Sequence, residues 1–207
     1  MIFGIAGKAY AGKDTFGRLL AEELNKIQYP PYVLMSFAHE LKLRIQKDFD
    51  LSYEQLWGNK KEVPDDRYKK PNSSEFWTPR EMMQSYGEFY RSIDYDFWVK
   101  SLMHIIDEKE YTNVIITDVR HPNEAVSVKD KGGFLIRIVR DGNIVPHGIT
   151  HISETALDGF DGFDAVIDNN GTLEDLKQGA ISLVKVLQNL FPEFKSTKTD
   201  TVVGISL

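Results

Sequence analysis

The chain has no cysteine among its 207 residues, which excludes disulfide bonds and thiolate metal sites. No hydrophobic run reaches the roughly 20 residues needed to span a bilayer, so a membrane partner is not expected. Positive charge is in deficit, because 25 lysines and arginines face 31 acidic residues and leave a net charge of −6. This balance excludes bulk attraction to nucleic acid, but it leaves room for a local basic pocket that binds a small anion.

What the chain does have is typical of a globular protein, with 42% hydrophobic and 27% charged residues. Its length fits one α/β domain with one or two insertions. Residues 2–6 are apolar, yet no basic region precedes them and no small-residue cleavage site follows. We therefore interpret this segment as a first β-strand rather than as a signal peptide.

Short apolar runs alternate with segments of helical periodicity along the whole chain. The runs that predict strands are 2–6, 32–37, 113–117, 134–139 and 165–167. The segments that predict helices are 14–27, 38–48, 52–55, 79–92, 96–107, 122–131 and a last one from the cap Thr172 to Leu190. The alternation predicts a parallel sheet with helices on both faces, in three layers. The polar stretch 57–77 predicts a long exposed loop.

A phosphate-binding loop is predicted between the first strand and the first helix. The segment Gly7-Lys8-Ala9-Tyr10-Ala11-Gly12-Lys13 matches the pattern G-x-x-x-x-G-K. Backbone N–H groups of such a loop and the helix N-terminus bind phosphate, and the lysine reaches the β- and γ-phosphates. Asp14 follows where Ser or Thr is usual, then Thr15, so either of them could ligate Mg²⁺. A chance glycine turn is the alternative, and the strand–loop–helix context disfavours it.

Thr78, Pro79 and Glu81 predict a helix start with a capping box, and the helix 79–92 that follows suggests a second anion site. Arg80 and Gln84 are four residues apart and share a face, and Arg91 follows near the helix end. Arg80 lies in the first turn, where the helix dipole disfavours a cation, and this placement favours a phosphate partner. The alternative is a solvated arginine that pairs with an acidic neighbour, namely Glu81, Glu88 or Asp94.

Two further charged positions fit phosphate chemistry. Asp118 ends a predicted strand, where ligands collect in open α/β sheets, so it could hold Mg²⁺ or orient a phosphate rather than merely cap a helix. Arg140 enters the loop-like stretch 140–154, and mobile arginines neutralise a transferring phosphoryl group. An exposed loop arginine is the alternative.

Nearby His147, His151 and Glu154 lack the spacing of a zinc site, so we expect loop hydrogen bonds for them.

Together these segments resemble the phage-type deoxynucleoside monophosphate kinases of the P-loop kinase group, from Gly4 to about Leu176. The matching segments are Gly7 to Thr15 with its Gly-Lys-Asp-Thr ending, Phe37-Ala38 with Leu41-Lys42, Thr78-Pro79-Arg80 with Gln84, Gly87 and Arg91, Trp98, Asp118-Val119-Arg120 with Asn123-Glu124, His151 with Ser153-Glu154, and Asn169 with Gly171-Thr172. The Asp14 departure is shared by this family.

The resemblance implies transfer of phosphate from ATP to a deoxynucleoside monophosphate, with Mg²⁺ as cofactor. It implies catalytic roles for Lys13, Asp118, Arg120 and Arg140, with Asp14 and Asp118 at the metal. The residues implied to bind ATP are Gly7, Ala11, Gly12, Lys13, Asp14 and Thr15, with Asn169, Gly171 and Thr172 near the base. Those implied to bind the acceptor are Phe37, Lys42, Arg80, Gln84, Arg91 and Trp98.

The expected organisation is a single P-loop kinase domain with a substrate-binding insertion at about 50–95 and a lid-like segment at about 140–155. Small-molecule nucleotides are the expected partners, a homodimer stays open, and the expected location is cytoplasmic, in the host cell if the protein is phage-encoded. Three alternatives remain: a P-loop kinase for another small acceptor such as dephospho-coenzyme A, a P-loop ATPase or switch acting on a protein partner, and a nucleotide-binding module without activity. The accepted bases and the choice of deoxyribose or ribose stay open.

Overall fold

The computed structural model describes residues 1–142 and 152–194, and these residues form a five-stranded sheet. The strands are β1 (Ile2–Ala6), β2 (Val33–Met35), β3 (Val114–Val119), β4 (Phe134–Val139) and β5 (Ala165–Asp168). Their order is β2-β3-β1-β4-β5, and every neighbouring pair is parallel. The predicted parallel sheet is therefore confirmed, although the second strand is shorter than the predicted 32–37.

The helices follow the predicted alternation closely. They are α1 (Lys13–Leu24), α2 (Ala38–Phe49), α3 (Tyr53–Leu56), α4 (Pro79–Ile93), α5 (Phe97–Glu108), α6 (Pro122–Asp130) and α7 (Leu173–Leu190). Short 3₁₀ turns cover Ile152–Glu154 and Pro192–Phe194. Within these described ranges, no helix combines the length and the apolar character that crossing a membrane requires.

The chain divides into two compact units, of which the first contains the sheet. This unit comprises Met1–Met35 and the chain from Tyr111 onward. On one face of the sheet, Phe3 and Ile5 of β1 lie in a buried cluster with Phe16 and Leu20 of α1, which packs beside α7. This cluster fixes where α1 begins relative to the end of β1.

The opposite face of the same sheet is covered by α6. Gly4 points to that face, since it lies between Phe3 and Ile5 on β1. A Cβ on Gly4 would come within 2.7 Å of Leu135 and 3.1 Å of Val128, which belongs to α6. Helices therefore lie on both faces of the sheet, as predicted.

The second unit, Ser36–Glu110, is built from α2, α3, α4 and α5. Its buried cluster includes Leu41, Ile45, Leu56, Met82 and Trp98. The indole Nε1–H of Trp98 donates to the carbonyl oxygen of Gly87 at 3.2 Å, so its polar atom is satisfied inside the unit.

The segment 57–77 contains no helix or strand and is mostly exposed, so the predicted loop is confirmed. It contains one isolated bridge between Lys69 and Phe76, and it encloses Asp65, which is only 6% exposed. Arg67 donates to this carboxylate from Nε at 2.9 Å and Nη2 at 2.7 Å, and Gln55 donates at 2.7 Å. The hydrogen bonds from Arg67 lower the pKa of Asp65 to about 2. Asp65 is the exception to the predicted exposure, because a bidentate ion pair with Arg67 buries it and orders the loop around it.

Candidate functional site

The helix α1 begins without a side-chain cap, immediately after the glycine loop. Its N-cap residue Gly12 is left-handed, with φ of 96°, and no side chain in the described part of the chain accepts a hydrogen bond from the first turn. The first intrahelical bond runs from Phe16 N–H to the Gly12 carbonyl at 2.9 Å. The N–H groups of the residues between them, Lys13, Asp14 and Thr15, therefore have no acceptor within the helix. Uncapped N–H groups at a helix start form an anion site.

Two glycines are required by the shape of the loop. Gly7 has φ of 152°, and a Cβ there would lie 2.6 Å from the Ile138 carbonyl oxygen. A Cβ on Gly12 would collide with the side-chain nitrogen of Asn169. Side chains at either position would also strain the backbone, so the loop depends on both glycines.

Lys13 is buried beside this loop. Its side chain is held by a hydrogen bond from Nζ to the Lys8 carbonyl oxygen at 2.9 Å, and the residue is 8% exposed. Burial lowers the pKa of Lys13 to about 8, with a further lowering by the charge of Arg120. The acids that act in the opposite direction on this pKa are Glu154, Asp14 and Asp118. The structure thus brings together five charged residues that were predicted or considered separately.

Glu154 contributes a carboxylate directly to the loop. Its Oε2 accepts from the Ala9 N–H at 2.7 Å, and its Oε1 pairs with the guanidinium of Arg120. Burial raises the pKa of Glu154, but the Arg120 charge, the Ala9 hydrogen bond and Lys13 together lower it below its usual value. The sequence predicted a loop hydrogen bond for Glu154 without indicating its partner, which lies 145 residues away. A carboxylate held here shows that the loop and Arg120 favour an anion.

A shallow open pocket adjoins the loop within the first unit. Its walls include the cations Lys8, Arg120 and Arg137. Asp158 lies 3.3 Å from both Lys8 and Arg137 and partly neutralises them. Glu154 lines the pocket as well, so its three cations exceed its two carboxylates by one.

Asn169 contacts the loop from the other side. Its Nδ2 donates to the Ala11 carbonyl oxygen at 2.8 Å, and its side chain is buried. Thr172, which the resemblance implies near the ATP base, uses its hydroxyl and its N–H in a capping box with Asp175 at the start of α7. Its hydrogen bonds to Asp175 lower the pKa of that carboxyl. Gly171 lies against Asp175 as well.

The remaining predicted residues of this unit have varied positions. Asp118 lies on β3 close to its carboxyl end and is half-buried, while Asp14 is exposed in the first turn of α1. Arg140 directly follows β4 and is exposed. Most of the predicted lid-like segment, with His147 and His151, lies outside the described residues.

The start of α4 in the second unit is fully capped. The Thr78 hydroxyl accepts from the Glu81 N–H at 3.2 Å, the Glu81 carboxylate accepts from the Thr78 N–H at 2.9 Å, and Pro79 occupies the first turn. Burial raises the pKa of Glu81, but hydrogen bonds to its carboxylate from the Lys70 ammonium and from Thr78 lower it below its usual value. The capping box predicted from the sequence is confirmed, and it leaves this helix start few N–H groups to offer.

The arginines of α4 are paired with acids. Arg80 pairs with Glu62, which the sequence did not indicate among its candidate partners. Arg91 lies 3.3 Å from Glu88 and its side chain is 15% exposed. The partner of Arg80 was missed because Glu62 lies in the segment 57–77, whose folding no periodic pattern predicts.

The other residues implied to bind the acceptor have mixed environments. Phe37 and Trp98 are buried, and Gln84 is half-buried on α4. The Lys42 ammonium lies 5.6 Å from the ring centroid of Trp57. The structure therefore places Trp98 in the interior of the second unit, with its indole bonded to backbone.

Comparison with known proteins gives consistent matches. A sequence model of the family described as deoxynucleotide monophosphate kinase matches residues 34–180. A protein of Acanthamoeba polyphaga mimivirus is 32% identical over 202 residues, and the alignment covers 89% of this chain and 96% of the mimivirus protein. The name of that protein assigns it to the deoxynucleotide monophosphate kinases. The deoxynucleotide monophosphate kinase of Escherichia phage RB69 is 30% identical over 51% of this chain and 44% of its own. A shikimate kinase structure from Aquifex aeolicus covers 92% of this chain and 98% of its own at 17% identity, with a TM-score of 0.47.

A parallel sheet whose first strand leads through a glycine loop into an uncapped helix, with a buried lysine, defines a protein of the P-loop group. The family match extends over most of the chain, and the mimivirus relative aligns over nearly its whole length. The chain belongs to the deoxynucleotide monophosphate kinase family. The resemblance drawn from the sequence is thereby confirmed.

Proposed function

We propose that this protein transfers the γ-phosphoryl group of ATP to a deoxynucleoside monophosphate and releases a deoxynucleoside diphosphate and ADP. The family supports the reaction, and the anion-binding character of the loop supports the site. The single observation that carries the proposal is the uncapped start of α1 with buried Lys13 beside it.

The loop and α1 bind the phosphates of ATP in this proposal. The free N–H groups of the first turn donate hydrogen bonds to phosphate oxygens, and the helix dipole adds partial positive charge. Lys13 exchanges its bond to the Lys8 carbonyl for a phosphate oxygen. Arg120 and Arg140 neutralise charge on the transferring phosphoryl group.

Asp14 and Asp118 are the carboxylates that would hold Mg²⁺. Both lie close enough to Lys13 to raise its pKa, so both border the phosphate site. Mg²⁺ at such sites takes one or two carboxylates together with substrate phosphates and water, and this pair fits that donor set. Within residues 1–142 and 152–194 no group of three or more acidic or histidine side chains is arranged to hold a metal alone. When bound, Mg²⁺ supplies charge neutralisation at the phosphates.

The acceptor phosphate is bound by arginines of α4 in this proposal. Arg80 and Arg91 present guanidinium groups that match phosphate oxygens two at a time, and Gln84 follows Arg80 by one helical turn. Arg80 has to exchange Glu62 for the phosphate. The acceptor oxygen is already nucleophilic at neutral pH, so positioning and charge neutralisation suffice and no strong base is required.

A panel of monophosphates tests the function. Deoxy- and ribonucleoside monophosphates, and dephospho-coenzyme A, are each offered with ATP and Mg²⁺ while ADP release is followed. We expect turnover with deoxynucleoside monophosphates. Turnover with dephospho-coenzyme A alone, ATP hydrolysis independent of any monophosphate, or binding without turnover would each replace this proposal with the corresponding alternative.

Substitution Lys13→Ala tests the role of the loop in the same assay. We expect kcat to fall by about 10²- to 10³-fold, since a preorganised charge at the transferring group is lost. Circular dichroism checks that the fold is kept. Retained turnover in a folded variant would contradict the assignment of the site.

A further inference from the structure

Asn169 ties the end of the sheet to the phosphate-binding loop. Its backbone N–H donates to the Val139 carbonyl oxygen at 2.8 Å, beside the carboxyl end of β4. Its side-chain Nδ2 donates to the Ala11 carbonyl oxygen at 2.8 Å, across 158 residues of sequence. The residue is 6% exposed, so this hydrogen bond is shielded from water. The backbone N–H and the side-chain Nδ2 of Asn169 therefore both have acceptors, and the side chain donates to the loop.

The orientation of the Ala11 carbonyl determines where the next N–H points. The Ala11 C=O and the Gly12 N–H belong to one planar peptide unit, and this bond is trans. In a trans unit the two groups point in opposite directions. Holding the carbonyl toward Asn169 therefore aims the Gly12 N–H away from Asn169.

Gly12 has two properties that make this control effective. Among the described residues, its N–H donates to no acceptor, so its direction is not set by a bond of its own. Its left-handed backbone is also flexible in a way that only glycine allows, so the peptide unit before it can rotate unless something holds it. The Asn169 amide lies against the Gly12 Cα and supplies that restraint.

We propose that Asn169 is a positioning residue, which aims the Gly12 N–H at the β-phosphate of the bound nucleotide by holding the Ala11 carbonyl. This inference rests on the proposed function, because it takes the loop to bind ATP. It differs from the role near the ATP base that the family resemblance implies for Asn169. The two roles predict different losses, since one depends on the phosphate chain and the other on the base.

Isosteric substitution separates a lost hydrogen bond from lost packing. Asn169→Asp keeps the size of the side chain but replaces the donor by a carboxylate, which repels the Ala11 carbonyl. Asn169→Ala removes the donor without adding repulsion. We expect the KM for ATP to rise about 5- to 10-fold in Asn169→Ala, the effect of one shielded hydrogen bond, and further in Asn169→Asp at pH 8.

Two readouts distinguish aiming of the loop from contact with the base. Inorganic tripolyphosphate has no base, and its inhibition constant against ATP should rise by the same factor as the KM for ATP. The ratio of kcat/KM for ATP over GTP should stay at the wild-type value. An unchanged tripolyphosphate constant together with a changed ATP:GTP ratio would overturn the proposal in favour of a base contact.

Lowering the pH should restore ATP affinity in Asn169→Asp if Asn169 acts through its hydrogen bond, but not if its role is only structural. As the pH falls toward 5, the carboxyl group of Asn169→Asp takes up a proton and again offers a donor to the Ala11 carbonyl. We expect the penalty on KM for ATP to shrink in Asn169→Asp, relative to wild type at the same pH, and to stay constant in Asn169→Ala. Equal pH dependence in the two variants would overturn the proposal.

Asn170 offers a matched control. It is the exposed neighbour of Asn169, and its side chain bonds to Asp141 and Asp168 rather than to the loop. Asn170→Ala should keep the KM for ATP within about twofold of wild type, as expected for a surface change.

Thermal melting identifies any variant that fails to fold, and in that event the isosteric Asn169→Asp carries the test. A wild type without ATP-dependent turnover would defeat the proposed function, whereas an active wild type with unaffected Asn169 variants defeats only this inference.

Discussion

The starts of α1 and α4 differ in a way that separates two modes of phosphate binding. At α1 the N-cap is a left-handed glycine, no side chain caps the helix, and the first-turn N–H groups have no helical acceptor. At α4 the cap is Thr78 with Glu81 in a reciprocal box, and proline occupies the first position. The first helix keeps its main-chain donors for a ligand, while the second has used the same donors for its own stability.

The difference shows what each region can contribute to binding an anion. At α1 the backbone N–H groups are available to an anion, so in the proposed function the conformation of a few peptide units would decide affinity. At α4 only side chains remain, and Arg80 is held by Glu62 at a position where the helix dipole disfavours a cation. Under the proposed function, an incoming phosphate would replace Glu62 there and would offset both the lost ion pair and the unfavourable dipole.

The largest expected effect is at the backbone of the first region. Gly12→Ala forces a side chain into a left-handed conformation and against Asn169, so the peptide units of the loop have to move. We expect kcat/KM for ATP to fall by about 100-fold or more, on the scale of losing preorganised donors.

Gly159→Ala is the matched control for this prediction. Gly159 lies in an exposed turn where an added Cβ meets no atom within 4 Å. It should leave kcat/KM for ATP near the wild-type value. Normal ATP kinetics in Gly12→Ala would mean that backbone donors do not bind the phosphates.

A smaller effect is expected at the side chains of the second region. Arg80→Ala should raise the KM for the monophosphate by about 10- to 100-fold, the size of a charge-assisted hydrogen bond, with the KM for ATP unchanged. Glu62→Gln should lower the KM for the monophosphate, because the neutral amide competes less with phosphate for Arg80. Steady-state kinetics with each substrate varied in turn measures both changes, and an Arg80→Ala enzyme with wild-type constants would remove Arg80 from the site.

The same comparison shows how far the sequence could predict this protein. The capping box of α4 and the glycine loop before α1 were predicted correctly because each is encoded within a few consecutive residues. The bonds from Asn169 and Glu154 to the loop span 158 and 145 residues, and no local pattern contains such information. They follow only once the parallel strands bring the ends of β1, β4 and the turn at Ile152–Glu154 together.

The types of the elements were predictable because hydrophobic residues recur with different periods in buried strands and in amphipathic helices. The exact lengths of the elements were not predictable. The first helix was predicted to reach residue 27 but ends at Leu24, since Lys26 and Ile27 form tighter turn bonds to Glu23 and Leu24. The segment 57–77 has no periodicity at all, so neither the burial of Asp65 nor the pairing of Glu62 could be anticipated. Polar contacts that depend on tertiary structure were thus the main omission.

The pH should distinguish the two regions by an effect of about tenfold. The pKa of Lys13 is lowered to about 8 by burial, so in the free enzyme its ammonium loses a proton as the pH rises above that value. Since the charged form binds phosphate, kcat/KM for ATP should fall about tenfold between pH 8 and pH 9.5. Guanidinium groups stay protonated throughout this range, so binding of the monophosphate should not weaken in the same way as the pH rises.

The variant Lys13→Arg is the control for this pH dependence. Its guanidinium does not titrate in the range, so whatever activity it keeps should lack the limb near pH 8. Profiles of kcat/KM for ATP from pH 6 to 10 make the measurement. A limb that persists unchanged in Lys13→Arg would assign the titration to a different group.

The smallest expected effect concerns the stability of the capped helix. Thr78→Ala removes a side chain that accepts from the Glu81 N–H, so the free energy of unfolding should fall by about 1 kcal/mol, while Thr78→Ser should retain most of it. The KM for ATP should not change, because the cap belongs to the region whose donors are already used. Urea denaturation of the three proteins measures the loss. No equivalent variant exists at α1, where the first-turn donors have no side-chain cap to remove, and a loss of ATP affinity in Thr78→Ala would show that the two helix starts are not independent.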